Sequence, residues 1–206
     1  VFVASTHDYV VFFTSSGKCF WRKVHELPES SLTARGRALT NILDLPEDEK
    51  IRAFVSLRDF EQDAYLIMTT RSGIIKKTKL EEYSRPRANG IIAINLKGND
   101  ELIAVRTSSG SDEILISTKQ GQAIRFNEDK VRSVGRNSMG VKGISLKGDD
   151  FVVSSEVIKD SKTQILTITE NGFGKRTEVE KYRLTSRGGK GVTTLKITEK
   201  TGKIVN

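Results

Sequence analysis

Cysteine, histidine and proline are all scarce in this chain, and each scarcity closes off a class of protein. The single cysteine, Cys19, excludes an internal disulfide framework and suits a reducing compartment. Set between Lys18 and Phe20, it reads as a small packing residue rather than a nucleophile. The two histidines, His7 and His25, stand far apart in the sequence with no metal-ligand spacing around them, so neither a metal site nor a histidine base is expected. No apolar run approaches the length needed to cross a membrane, and no secretory leader is visible at Val1. Because the chain opens directly in a strand-like run, it reads as an excised piece that has lost its true start. With prolines only at Pro28, Pro46 and Pro86, breaks must be made by Gly, Asn and Asp. Helix signals are poor throughout.

Glycine, by contrast, is abundant and evenly placed. A β-rich run, a turn ending in Gly and a second β-rich run recur at Gly17, Gly73, Gly121 and Gly172. A second glycine follows each at Gly36, Gly90, Gly140 and Gly191, separated by 19, 17, 19 and 19 residues. Successive turn glycines are 56, 48 and 51 residues apart, the period of a blade-like unit of four short strands rather than of a helical solenoid. The chain is therefore expected to be all-β and propeller-like, one domain over 1–206 with repeats near 1–50, 51–100, 101–150 and 151–206. One such unit is too small to bury its own apolar face and must pack on its neighbour.

The units agree in detail. Hairpins are expected at Val10 to Thr14, Tyr65 to Thr70, Ile114 to Thr118 and Ile165 to Thr169, each with the strand that follows its turn glycine. A further strand opens each later unit, at Ile51 to Leu57, Glu101 to Val105 and Phe151 to Ser154. Ten residues past the turn glycine come Leu27, Tyr83, Val131 and Tyr182, all bulky enough for a core. Seven past it come Val24, Leu80, Glu128 and Val179, so the third copy departs there. After the second glycine, Ile94, Ile144 and Leu195 and then Leu96, Leu146 and Ile197 keep the period of two of a half-buried strand. The first copy follows less cleanly through Leu39, Ile42 and Leu45.

Thirty-four Lys and Arg against twenty-six Asp and Glu leave a net charge of +8, which biases the choice of partner toward polyanions. The cations recur in phase. Arg22 and Lys23, Lys76 and Lys77, Arg125, and Lys175 and Arg176 follow the turn glycines. Arg35 and Arg37, Arg85 and Arg87, Arg132, Arg136 and Lys142, and Arg183, Arg187 and Lys190 surround the second ones. A solvated strand face accounts for any single one of these, but charge that served solubility alone has no reason to keep returning beside the same glycines. Acidic residues gather instead at bends such as Glu47-Asp48-Glu49, Asp112-Glu113 and Asp149-Asp150. Stacked copies would put the cations on a common basic rim.

Ser186-Arg187-Gly188-Gly189-Lys190-Gly191 could bring backbone N–H groups close to phosphate oxygens. It lacks Walker spacing, and no Gly-x-Gly-x-x-Gly precedes a helix, so a nucleotide cofactor is not expected. Three readings stand: a module whose basic rim binds a polyanion, a propeller-like platform for acidic protein partners, and an enzyme. The adjacent carboxylates Glu81-Glu82 and Asp149-Asp150 read as solvated bends, which leaves the third without a site.

The chain resembles the C-terminal domain of bacterial DNA gyrase A, and more loosely its topoisomerase IV counterpart. The resemblance is carried by Tyr9 to Arg22, Glu26-Leu27-Pro28-Glu29, Ala34-Arg35-Gly36-Arg37, Gly73 to Thr78, Val131 to Gly143 and Asn171 to Thr177. It implies a β-pinwheel of strand-exchanged four-stranded blades that wraps double-stranded DNA around a basic circumference. It further implies partners in the rest of gyrase A and in gyrase B, a bacterial cytoplasmic location, and a catalytic tyrosine in another domain. The family has about six blades, so four copies read as an interior section. Its signature box, Gln-Arg-Arg-Gly-Gly-Lys-Gly, is echoed only from Arg187 to Gly191.

Overall fold

Hairpins form at all four turn glycines. In a computed structural model describing residues 2–43, 45–46, 49–85, 87 and 89–206, β1 (Tyr9–Thr14) turns at Gly17 into β2 (Lys18–Lys23). A short helix, α1 (Leu39–Leu43), precedes β3 (Ile51–Leu57), the hairpin β4 (Tyr65–Thr70) and β5 (Ile74–Lys79), and the two-residue β6 (Ile91–Ile92). There follow β7 (Leu102–Ser108), the hairpin β8 (Glu113–Thr118) and β9 (Gln122–Asn127), and β10 (Val141–Lys142). The chain ends through β11 (Val152–Ile158), the hairpin β12 (Gln164–Ile168) and β13 (Gly174–Glu178), and β14 (Val192–Thr193). The expected acidic bend at Glu47 and Asp48 and the break at Pro86 lie outside the described residues.

These strands make three four-stranded antiparallel sheets, ordered β3-β1-β2-β6, β7-β4-β5-β10 and β11-β8-β9-β14, and a two-stranded sheet, β12-β13. Each strand expected to open a new unit pairs back on the preceding hairpin, as β3 does on β1 with Tyr9 opposite Leu57. The closing strand of each full sheet comes forward from the next copy: β6 pairs with β2, β10 with β5 and β14 with β9. Neighbouring sheets thus exchange strands, as a β-pinwheel requires.

The exchanged strands are shorter than the alternating pattern suggests. Only two residues pair before the chain bends, because the N–H groups of Ala93 and Ile94 both donate to the Gly17 carbonyl, at 2.7 and 3.1 Å. Gly143 and Ile144 do the same to Gly73, at 2.8 and 3.3 Å, and Thr194 to Gly121 at 2.9 Å. Ile94 and Ile144 are buried by folding over the neighbour's turn rather than by a pleated face. The corresponding stretch of the first copy closes into the five-residue α1, in keeping with the poor helix signals elsewhere, with Leu43 buried beside Val10, Phe12 and Phe20.

The core lies between sheets. One apolar cluster joins Val11, Phe13 and Trp21 to Leu66, Met68 and Tyr83; a second joins Ile67 and Ile75 to Ile114, Ile124 and Phe126. A smaller one joins Leu115 and Ala123 to Val179 and Tyr182. Central strands such as β4 and β8 are therefore covered on both faces, which explains their unbroken apolar runs. β12, in the last sheet, leaves Leu166 52 % exposed.

Gly121 has φ +87°, and a Cβ there would lie 2.3 Å from the Leu195 carbonyl oxygen; Gly172 has φ +80° with nothing within 4 Å. Gly172→Ala is expected to cost only the left-handed backbone, about 1–2 kcal/mol. Gly121→Ala must also push the clasping segment away and is expected to cost about 3 kcal/mol or more. Urea unfolding midpoints check this, and equal losses at the two sites would show that the clasp does not hold in solution.

Candidate nucleic-acid interface

The cations nearest the hairpin turns do not all reach the surface, which corrects the expectation for Lys76, Lys77 and Arg125. Each is buried, because the segment leading to the next copy's second glycine runs across it. Ser133 lies in a parallel bridge with Lys77, and Leu184 in the equivalent bridge with Arg125. Val134 N–H donates to the Lys77 carbonyl and Thr185 N–H to that of Arg125, both at 2.9 Å. Burial forces each charge to find partners. Lys76 Nζ donates to the carbonyls of Ala93, at 2.7 Å, and of Arg136. Lys77 pairs with Glu128 at 3.0 Å, and Arg125 with Glu113 at 2.6 Å, while the Arg125 guanidinium also donates to the Val179 and Tyr182 carbonyls.

The irregular Glu128 is explained by this. It sits at an offset that is apolar in the other copies because Lys77 of the preceding copy requires a carboxylate there. Ser108 Oγ and the Asp112 N–H donate to its remaining oxygen lone pairs, at 2.7 and 3.1 Å. Trp21 takes the place of Lys77 in the first copy and shares an apolar cluster with Leu80, so that interface needs no charge. In the last copy Lys175 and Arg176 are exposed, as the sequence pattern suggests. Lys175 still donates to the Thr194 carbonyl at 3.3 Å, the counterpart of the bond from Lys76 to Ala93. Arg22 and Lys23 are half-buried: Lys23 Nζ sits 3.4 Å from the Tyr9 ring centroid and donates to the His7 carbonyl, and Arg22 shares a hollow with Arg37 and Glu26.

The cations around the second glycines behave differently. Arg85, Arg87, Arg132, Lys142, Arg183 and Lys190 are exposed; Arg136 and Arg187 are half-buried. The last two act as staples between copies. Arg136 donates to the Ile92 carbonyl, and Arg187 to the equivalently placed Lys142 carbonyl at 3.0 Å and to that of Lys130 at 2.8 Å. Asn95 N–H donates to the Ser138 carbonyl at 3.2 Å and Ser145 N–H to that of Gly189 at 2.8 Å, again at matching offsets. The segments around Gly90, Gly140 and Gly191 are consequently laid end to end. Arg85, Arg87 and Arg136 line one hollow of about 470 Å³ with Glu81 and Glu82. None of these eight cations forms an ion pair within 4.0 Å among the described residues. Arg35 and Arg37 are exposed ahead of α1, on a stretch that these bonds do not join to the row.

The sheets meet one another along β3, β7 and β11, the edge opposite the exchanged strands. There Arg52 pairs with Glu101 and Arg106 with Glu156, each at 2.6 Å. The Glu156 hydrogen bonds hold the Arg106 guanidinium above its ordinary pKa. The bend carboxylates are occupied too: Asp100 accepts from Ser72 N–H and Asp150 from Gln120 N–H, both at 2.9 Å.

Chemistry is correspondingly thin. Burial pushes the Cys19 thiol up to about 12, which removes it as a nucleophile. Burial lowers the Lys76 ammonium to about 8, and the nearby Arg136 charge acts in the same direction. The fold brings His7 and His25 together, with ring centroids 6.5 Å apart, although they are distant in sequence. Among the described residues no cluster of three or more His, Cys, Asp or Glu side chains could hold a metal ion, and no helix is long and apolar enough to cross a membrane. Asn95, Ser145 and the Ile92 and Lys142 carbonyls, which stitch the row together, carry no charge and left no trace in the sequence pattern.

The DNA gyrase C-terminal domain, β-propeller family matches residues 8–58, 64–109, 112–159 and 163–206. Curated relatives include the DNA gyrase A proteins of Salmonella typhimurium, 48 % identical over 98 % of this chain, and Staphylococcus epidermidis, 46 % identical over the same share. The chain spans only 23 % of the length of each. Among solved structures, the C-terminal domain of DNA topoisomerase IV is similar at a TM-score of 0.86 and 32 % identity, covering 97 % of this chain and 62 % of that one. The DNA gyrase A C-terminal domain is similar at 0.84 and 28 %, covering 98 % and 65 %.

Because Lys77 and Glu128 are both shut away from water, Glu128→Leu is expected to lose about 3–5 kcal/mol by stranding the ammonium. The double change Lys77→Met with Glu128→Leu is expected to recover most of that loss. A double-mutant cycle on chemical unfolding checks the pair; additive losses would mean that the ion pair does not form.

Proposed function

The chain belongs to the DNA gyrase C-terminal domain family, and from that premise we propose that it is a non-catalytic module that binds and wraps double-stranded DNA. The observation that supports this best is the end-to-end row of second-glycine segments, in which Arg136 and Arg187 staple neighbours together while Arg85, Arg87, Arg132, Lys142, Arg183 and Lys190 stay exposed, with no ion pair among the described residues. A duplex lying along that row would meet fresh cations at every copy. Phosphate contacts of this kind give affinity through counterion release with little reading of base sequence.

Wrapping needs several copies. Bending 20 to 30 base pairs through 40 to 90 degrees costs on the order of 1–6 kcal/mol, more than the phosphate contacts of one blade can offset. In this reading the module works beside the rest of gyrase A and with gyrase B, in the bacterial cytoplasm on chromosomal DNA. Strand cleavage and its tyrosine lie outside this chain. Arg187 to Gly191 supply a partial counterpart of the family's box on the last of the stapled segments.

The test separates exposed cations from staples. Replacing Arg85, Arg87, Arg132 and Arg183 by Gln is expected to leave thermal unfolding unchanged. It should also flatten the slope of log K against log salt by about 0.9 for each phosphate no longer neutralised. Duplex affinity that stays the same at about 0.1 M salt would contradict the assignment. Equal binding to a polyacidic peptide and to duplex DNA would favour an acidic protein partner instead.

A further inference from the structure

Lys76 stands apart from every other cation in the molecule. It is 0 % exposed, yet it has no carboxylate within ion-pair reach among the described residues, whereas its buried neighbour Lys77 has Glu128 and Arg125 has Glu113. Its ammonium donates instead to two backbone carbonyls, one from each of two consecutive segments of the row: Ala93 O at 2.7 Å and Arg136 O. The charged and titratable groups that face it are Arg136, the Cys19 thiol and Glu82. The Tyr83 hydroxyl donates to the same Ala93 carbonyl at 3.1 Å, and Arg132 lines the same small hollow. With Lys76 and Arg136 set against Glu82, the local balance is positive.

We propose that Lys76 is a positioning residue for polyanion binding, whose ammonium pins the Arg136 segment to the one before it and whose charge is balanced by phosphates bound on the outer side. The proposal rests on the duplex-binding reading and adds a coupling to it: binding DNA and protonating Lys76 favour each other, by reciprocal linkage. In the free chain, burial and Arg136 hold the Lys76 pKa near 8 rather than 10.5. Phosphates nearby raise it again. Above pH 8 most free chains have lost the proton, and binding draws it back.

The sign for folding is opposite. Between pH 8 and 10.5 the unfolded chain carries more protons on Lys76 than the folded one, so this group makes folding more favourable as pH rises. Duplex affinity falls over the same range. A side chain serving only to hold the loop in place would not link binding to protons.

The experiment is calorimetric titration of the wild-type chain with duplex DNA at pH 8.5, in two buffers of different ionisation enthalpy. Uptake of about three-quarters of a proton per bound chain is expected from a group near 8 that rises by two or more on binding. Between pH 7 and 9 the wild-type affinity should drop by about ten-fold, while Lys76→Met binds more weakly at pH 7 and shows neither the drop nor the uptake. No proton uptake by the wild-type chain overturns the proposal even if the variant cannot fold. An unchanged pH profile in a folded Lys76→Met overturns it as well. If the wild-type chain fails to bind duplex at pH 7, the duplex reading falls and takes this proposal with it; if it binds at pH 7 without proton uptake at pH 8.5, only the role of Lys76 falls.

Discussion

The carbonyl oxygens of Gly17, Gly73 and Gly121 each accept backbone N–H groups from the copy that follows, and the rest of the architecture is arranged around that bond. The bond requires a turn with positive φ and no Cβ, which only glycine supplies at low cost where a neighbouring carbonyl would lie 2.3 to 3.1 Å from any side chain. Once it forms, the incoming segment is fixed in register. It adds a short strand to the neighbour's sheet, folds Ile94 or Ile144 over the turn, and returns to build the inner edge of its own copy.

The same exchange sorts the cations. A segment that crosses the preceding hairpin covers whatever lies beneath it, so Lys76, Lys77 and Arg125 are withdrawn from water while cations on the covering segment stay outside. A withdrawn charge without a partner costs several kcal/mol, and the molecule answers locally: a carboxylate for Lys77, a carboxylate and two carbonyls for Arg125, carbonyls alone for Lys76. The covering segments thus keep their own cations in the open, while on the opposite edge Arg52 and Arg106 are paired with Glu101 and Glu156.

Much of this was legible from residue order. Glycine spacing located all four hairpins, since a two-stranded turn is a local event and needs only the residues within it. Tyr83, Val131 and Tyr182 were recognisable as core from their common offset, and they are buried. The extent of β6, β10 and β14 was not legible, because it is set by a carbonyl in another copy rather than by the segment's own alternation. α1 was not legible either: the stretch resembles the exchanged strands in its apolar spacing, yet it joins none of the sheets. Phase correctly grouped the cations by copy but could not divide covered from uncovered. Glu128 was the one visible clue, an acid at an apolar offset, and its meaning depended on Lys77 in a different unit.

In the proposed reading, the duplex takes the outer row of stapled segments as its path. Backbone hydrogen exchange with and without a duplex long enough to follow the row tests it most directly. Exchange is expected to slow at 84, 85 and 87 and across 132–142 and 183–191, with β7 and β11 unchanged. Protection confined to the inner edge or to the acidic bends near Asp100 and Asp150, with the row unaffected, would contradict it.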